Sequence, residues 1–397
     1  MRRIKSRIYI DSQAYMKSLL WEWKYIFRDK AVLFSFLGVS LIVPFLYTFV
    51  YSHETLEKLP IGVVDNDNSG NSRQLLRMMD GSSQVTIFQS YPDLVEARQS
   101  FERQEIRGVV VIPDNFYQLL QRGEQPFISV YADASYLLYY KQILTAVKTS
   151  AAYLNVGIQI KKESAQGKLP TQARNDSVAV SAKTVSLYNP SSGYATFLIP
   201  VVLVIIFQTC ILTSIGILGG TMREGKKLRK LYPHSDNFLG TLPIVMGKAT
   251  TYLVLGLAIL LVMLGVVMPV FNIPMRNNLL TVVVFMIPFL LSLVYLGIFL
   301  LNFFKHREDA IMLIMYTSIP ALLITGISWP TTSIPNWIQV ISYLVPSTIG
   351  AKGFVSLTQM GASAQTIQFY WVGMWLVCLF YLLLAVLSMK RMYLREK

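Results

Sequence analysis

The chain has 397 residues, 53% of them hydrophobic and only 15% charged, with a net charge of +14. A soluble domain carries about 25% charged residues, so this composition excludes a chain that is water-soluble throughout. Nor does the charge describe a nucleic-acid-binding surface, because residues 52–194 hold 14 basic and 14 acidic residues and the excess lies in short stretches between apolar runs.

Residues 1–30 come first. Leu19, Leu20, Trp23, Tyr25, Ile26 and Phe27 give them an apolar side, and Lys17, Lys24, Arg28 and Lys30 supply charge. This pattern predicts an amphipathic helix lying on the cytoplasmic leaflet; the plainer reading is a juxtamembrane anchor with no further role. Six runs are then long enough to cross about 30 Å of hydrocarbon, near Ala31–Tyr51, Ala195–Gly219, Ala249–Phe271, Leu279–Leu301, Ala310–Trp329 and Tyr370–Met389, and none contains Asp, Glu, Lys or Arg. The first lacks a small-residue cleavage site and is expected to be retained as a signal-anchor. Cys210 and Cys378 fall inside runs and read as small packing residues.

Between the first two runs, residues 52–194 have the character of a soluble domain. Strands are predicted at 59–65, 84–90, 107–113 and 125–133, and helices at 72–80, 92–106, 114–123 and about 136–162. Strands alternating with helices predict a small α/β domain with a mainly parallel sheet. Between the fifth and sixth runs, residues 326–357 carry one charge, Lys352, and are broken by Pro330, Pro335 and Pro346. They predict short amphipathic or re-entrant helices at the outer face, with Trp329 and Trp337 at headgroup level.

The charges set the orientation. The first thirty residues hold 8 basic residues, 222–248 hold 6, 302–309 hold 2 and 390–397 hold 4, whereas the alternate loops hold only Arg276 and Lys352. By the positive-inside rule both termini are cytoplasmic and residues 52–194 lie outside. The expected fold is an α-helical polytopic membrane protein with six transmembrane helices and an inserted extracytoplasmic α/β domain.

Catalytic chemistry is hard to assemble. His53, His234 and His306 stand in separate loops, and a zinc site needs three or four N/S ligands together. Asp65 and Asp67 belong to a polar turn too short for a calcium loop. Gly220–Lys227 matches a phosphate-binding loop except for its final Ser/Thr, which Lys227 replaces, and an apolar run precedes it rather than a strand. No cofactor or metal is expected in this chain. The apolar runs also lack the ionisable groups that ion-coupled carriers use, so energy for transport would enter from a partner. Segment 222–248, with five basic residues between 223 and 230 followed by Tyr232–Pro233, reads either as a helix–turn–helix docking surface or as a topology signal alone.

At this point the chain resembles the type-2 ABC transporter permeases, in the branch with a large domain after the first span. The stretch WEWKYIFRDKAVLF with Glu22, Arg28 and Asp29, the strand–turn at 61–75, the segment 107–124, the segment 222–248 ending in Gly247–Lys248, and the region 326–348 all match in order along nearly the whole chain. The second acidic residue and the Thr usual in the family's coupling segment are missing after Arg223–Glu224–Gly225. The resemblance implies an exporter subunit in a bacterial cytoplasmic (inner) membrane that pairs with a second permease, as a homo- or heterodimer. It docks on a separate ATPase subunit that holds ATP and magnesium. Glu22, Arg28, Asp29, Arg223, Glu224, Lys226, Arg229 and Tyr232 would form the ATPase-coupling site, and Trp329, Pro330, Pro335, Trp337 and Pro346 an external gate region. A periplasmic adaptor on residues 52–194 is a further implied partner. The alternative is a membrane-anchored extracytoplasmic binding or sensor protein; an intramembrane enzyme lacks catalytic groups in every run. The cargo is not legible.

Overall fold

The computed structural model of the chain describes residues 2–52, 55–167, 169, 172, 187–190, 193–233, 238–304, 306–326 and 329–395. The chain forms two compact units, Met1–Glu54 with Ser186–Lys397, and Thr55–Val185.

The first unit is helical. α1 runs Arg2–Arg28 and stops at Asp29, whose extended backbone lets its carboxylate accept the Ala31 N–H at 3.0 Å and so cap the next helix, α2, Lys30–Val50. A π-helical turn at Phe34–Gly38 interrupts α2. After the inserted unit come α7 (Tyr194–Glu224), the single turn α8 (Leu228–Leu231), α9 (Phe238–Val270) and α10 (Leu279–Leu300). They are followed by α11 (Arg307–Ile324), α12 (Asn336–Ser342), α13 (Pro346–Thr358) and α14 (Gln368–Arg395). Among the described residues five helices, α2, α7, α9, α10 and α14, are long and apolar enough to cross a membrane, and the pair α12–α13, bent by 84°, would make a sixth if it counts as one span.

The expected fifth span differs. α11 opens on Arg307, Glu308 and Asp309, and its apolar part ends at Ile324 rather than Trp329, a rise of about 22 Å. The chain leaves the helix because Gly326 adopts φ +81°, a left-handed conformation that glycine tolerates. Beyond it the expected short helices are present: a 3₁₀ turn at Thr331–Ser333, then α12 and α13.

α7 is the centre of this unit, with 83% of its apolar window buried against 28% for α2. Its last turns carry Gly220, where a Cβ would sit 2.7 Å from the Arg307 Cα, so the absence of a side chain lets the start of α11 lie directly on α7. α13 approaches α10 in the same way: a Cβ on Gly353 would meet the Phe285 ring at 2.0 Å.

The second unit contains β1 (Leu59–Asp65), α3 (Gly70–Asp80), β2 (Val85–Ser90), α4 (Leu94–Glu102), β3 (Gly108–Ile112), α5 (Phe116–Arg122), β4 (Ser129–Ala132) and α6 (Leu137–Ala165). The sheet order is β2-β1-β3-β4, with β1 parallel to both β2 and β3 and β4 antiparallel to β3. Central strands covered on both faces need continuous apolar runs, and β1 and β3 have them. Ile61, Val85, Val110 and Ile112 pack with Leu75, Met79 and Ile143 in one cluster, and Val64, Ala97, Ile106 and Val109 form another. The expected strand 125–133 shortens to four residues, since Pro126 has no N–H for a ladder. At the start of α5 Asn115 makes no capping bond, and the Tyr117 N–H donates to the Asp67 carboxylate at 3.0 Å. Asp65 likewise accepts the backbone N–H groups of Asp67 and Asn68 and the Ser72 hydroxyl. The two carboxylates of the polar turn are thus engaged in holding it.

Gly353→Val is expected to destabilise the chain by about 1–3 kcal/mol through overpacking against Phe285. A thermal melt in detergent checks this, with Gly373→Ala as control, because a Cβ there meets only Ile349 at an ordinary 3.6 Å.

Candidate functional site

The first unit contains a buried polar seam where α1 lies along α9. Tyr15, Ser18 and Glu22 share one face of α1, three and four residues apart, and Ile244, Gly247, Lys248, Thr251 and Tyr252 share one face of α9. Gly247 makes the approach possible, because a Cβ there would lie 2.5 Å from the Tyr15 carbonyl oxygen. At this short range side chains bond directly to the facing backbone. The Ser18 hydroxyl donates to the Ile244 carbonyl at 2.8 Å, the Thr251 hydroxyl to the Leu19 carbonyl at 3.2 Å, and Tyr15 donates to Thr250 at 3.0 Å.

Glu22 and Lys248 form an ion pair at the middle of the seam, with exposures of 1% and 3%. Tyr252 donates to the second carboxylate oxygen at 3.2 Å, and the Lys248 ammonium lies 5.2 Å from the Trp21 ring centroid. Both oxygens of Glu22 are therefore engaged. Removing one member of such a pair leaves an uncompensated charge, at a cost of about 3–5 kcal/mol.

A second network joins three helix ends. Arg307 donates to both oxygens of Asp29 at 3.3 Å, and its backbone N–H donates to Glu224 at 3.0 Å. Glu224 also lies 3.6 Å from the His306 ring nitrogen. The carboxylate of Glu224 thus sits at the N-terminus of α11, where the helix dipole favours it. Arg223 turns the other way and donates to the carbonyls of Leu301, at 2.7 Å, and Phe304 beyond the C-terminus of α10. The junction of α1 with α2, the end of α7 and the start of α11 are linked through four side chains.

The residues expected to act at a coupling surface therefore divide. Glu22 is buried, and Asp29, Arg223 and Glu224 hold neighbouring helices. Tyr232 is 2% exposed in the apolar core, and burial pushes its phenol up to about 12. Arg28, Lys226 and Arg229 are exposed, together with Lys24, Lys30, Lys227 and Lys230; the Arg229 guanidinium lies 6.0 Å over the Tyr393 ring. Segment 222–248 contains the helical pieces expected of it: α7 continues to Glu224, α8 is a turn at Leu228–Leu231 and α9 begins at Phe238. His234 and Asp236 lie outside the described residues. In the region expected to gate, Trp329 and Trp337 are 60% and 66% exposed. Pro330 and Pro335 precede the 3₁₀ turn and α12, and Pro346 is buried at the first turn of α13. These residues mark successive breaks in one segment.

Sequence reasoning missed Arg307, Ser18 and Gln208, and named Lys248 only as the last residue of segment 222–248. Lys248 was hidden by its position one residue before an uncharged run, which made it look like the end of a loop. A helical projection of 238–252 would have placed it beside Gly247, Thr251 and Tyr252. Gln208, buried in the middle of α7, accepts the Ser347 N–H at 3.2 Å and so ties α7 to the N-terminus of α13; a lone amide in an otherwise apolar run was its signal.

Comparison with known proteins agrees with this architecture. The family described as ABC-2 family transporter protein matches residues 30–387. The chain is 21% identical over 336 residues to the "Probable multidrug ABC transporter permease YbhR" of Escherichia coli, covering 84% of this chain and 85% of that one. It is 23% identical over 330 residues to the "Probable multidrug ABC transporter permease YbhS" of the same species, covering 81% and 82%. It is 21% identical over 350 residues to the "Linearmycin resistance permease protein LnrN" of Bacillus subtilis, covering 82% and 86%. With a family match over most of its length and apolar helices suited to several crossings, the chain belongs to the ABC-2 transporter family as a type-2 ABC permease, a multi-pass membrane subunit.

Proposed function

We propose that the chain is the export path of its transporter: it moves an amphipathic substrate outward, driven by a separate ATPase subunit that binds at the exposed cationic surface around Arg28, Lys226 and Arg229. The observation that carries this reading is the buried Glu22–Lys248 pair. It makes α1 and α9 one mechanical body, and that body borders the exposed cations at the end of α1. A partner closing under this surface would displace α1, and α9 would follow. The Asp29–Arg307–Glu224 network would carry the same displacement to α7 and α11. The names of the relatives, multidrug and linearmycin resistance, support outward transport. In this reading two permease subunits pair, ATP and magnesium stay on the ATPase, and the termini are cytoplasmic. Residues 52–194 face the outside of a bacterial cytoplasmic (inner) membrane, where an adaptor could dock. The count of crossings is six, with α11 as a short fifth and α12–α13 re-entrant.

The test is purification of the tagged chain in mild detergent from its native host, followed by assay of the eluate for ATPase. A nucleotide-hydrolysing partner that is lost from an Arg28→Glu, Lys226→Glu variant is the expected result. An intact complex without ATPase would overturn the proposal in favour of a membrane-anchored receptor.

Two further outcomes follow from the geometry. Lys248→Met alone should lower stability by about 3–5 kcal/mol, and the double change Glu22→Gln, Lys248→Met should recover most of that loss, because no buried charge is left alone; thermal melts of the three proteins decide it. Reversing one charge, Asp29→Arg or Arg307→Asp, should reduce substrate-stimulated ATPase about fivefold while the ATPase still co-purifies, a coupling energy of about 1 kcal/mol. Reversing both should restore at least part of the stimulation.

A further inference from the structure

We infer that the second unit carries a binding site for a single-chain amphiphile with a monoanionic head, such as a medium-chain carboxylate. The site is the cleft between the arm 123–128 and α6. Gly123, at φ +77°, ends α5 in a left-handed turn, and the chain then runs in an extended arm past Pro126 to β4. The arm stands away from α6 and leaves a cleft of about 310 Å³, within the range of about 300–1,000 Å³ occupied by small-molecule sites. Its walls are Phe116, Leu120, Val130, Val147, Ala151 and Leu154, all of which belong to or pack against the apolar core of this unit. The cleft is therefore an opening into the core and not a groove over polar surface. At its rim stands Phe127, 79% exposed, a large apolar side chain placed where it can fold over an occupant.

The polar groups at the cleft select the head. Among the described residues Lys148 is the one charged residue of its lining, and the amides of Gln125 and Asn155 line the stretch shared with the neighbouring cleft. Lys148 is exposed and makes no ion pair among the described residues. A cation over an apolar cavity matches a carboxylate attached to a chain, since charge-assisted hydrogen bonds are the stronger kind. The neighbouring cleft, about 560 Å³, shares Leu120, Gln125, Pro126 and Asn155 but carries Glu124 and Glu163 beside Lys162. Its two carboxylates repel an anion, which confines the head to the Lys148 end. A cationic amphiphile lacks a partner at that end.

The probe is a dodecanoate bearing an alkyl diazirine at its far end, photolysed with the full-length chain in phosphatidylcholine nanodiscs and mapped by mass spectrometry. The matched diazirine alcohol serves as the uncharged comparison. Adducts of the acid are expected within 116–130 and 144–155. Lys148→Gln, a change at an exposed position, should reduce labelling by the acid about tenfold and leave the alcohol unchanged to within about twofold. Ala151→Trp, which fills the cleft, should remove both. Adducts of the acid confined to the apolar helices of the first unit, or labelling in 144–155 that Lys148→Gln leaves unaltered, would overturn the assignment.

Discussion

An ion pair with no access to water constrains the whole helical unit. Glu22 and Lys248 are 226 residues apart in sequence, and neither can lose the other without leaving a charge stranded in apolar surroundings. Such a contact is a poor source of stability but a strong selector of arrangement: among all the ways α1 could lie along α9, only the one that joins these two groups is tolerable. The neighbouring features agree with that choice. Gly247 clears the approach, Ser18 and Thr251 bond across it, and Tyr252 satisfies the second carboxylate oxygen. The amphipathic first helix is thereby more than a raft on a lipid surface, because its polar groups are matched to one partner helix.

The same logic explains why the acidic residues of the family resemblance are spent on contacts within the subunit. Asp29, Glu224 and Glu22 are the groups most easily noticed in a basic, apolar chain, and all three are turned toward other helices of the same subunit. Arg28, Lys226, Lys227, Arg229 and Lys230 are exposed cations, and Glu224 and Glu308 are exposed acids at the end of α7 and the start of α11. A partner would meet positive charge backed by a stiff frame, an arrangement suited to transmitting a push because little of the displacement is lost in side-chain rearrangement.

Much of this was legible in the amino-acid pattern. β1 runs over the predicted residues 59–65, and the apolar runs fall on α2, α7, α9, α10 and α14, since uninterrupted hydrophobicity and β-branched density act locally. The errors have physical causes. Helix α11 ends early because one glycine takes a left-handed turn, and β4 shrinks because a proline cannot join the ladder. Lys248 was misplaced because a hydropathy window sees where charges stop and not where a helix starts. The capping of α5 by Asp67, fifty residues earlier in the chain, could not be read from neighbours at all. The candidate coupling residues were recognisable by type and order, but which of them face inward depends on contacts with residues 78 to 278 positions away.

The burial of α7 has a consequence for how the molecule is made. In the finished unit this helix touches little but protein, so a polar residue on most of its faces would find a partner, as Gln208 does. Yet the mean hydropathy of its most apolar stretch, 2.5, exceeds the 2.1 of the matching stretch of α2, which is far more open to its surroundings. Final position does not demand that. A nascent helix leaving the ribosome must partition into lipid before its neighbours exist, and α7 is synthesised ahead of the α9, α10 and α11 helices that will enclose it. Its composition is thus fitted to a transient stage of biogenesis, and polar substitutions harmless in the completed bundle would be felt first as failure to insert.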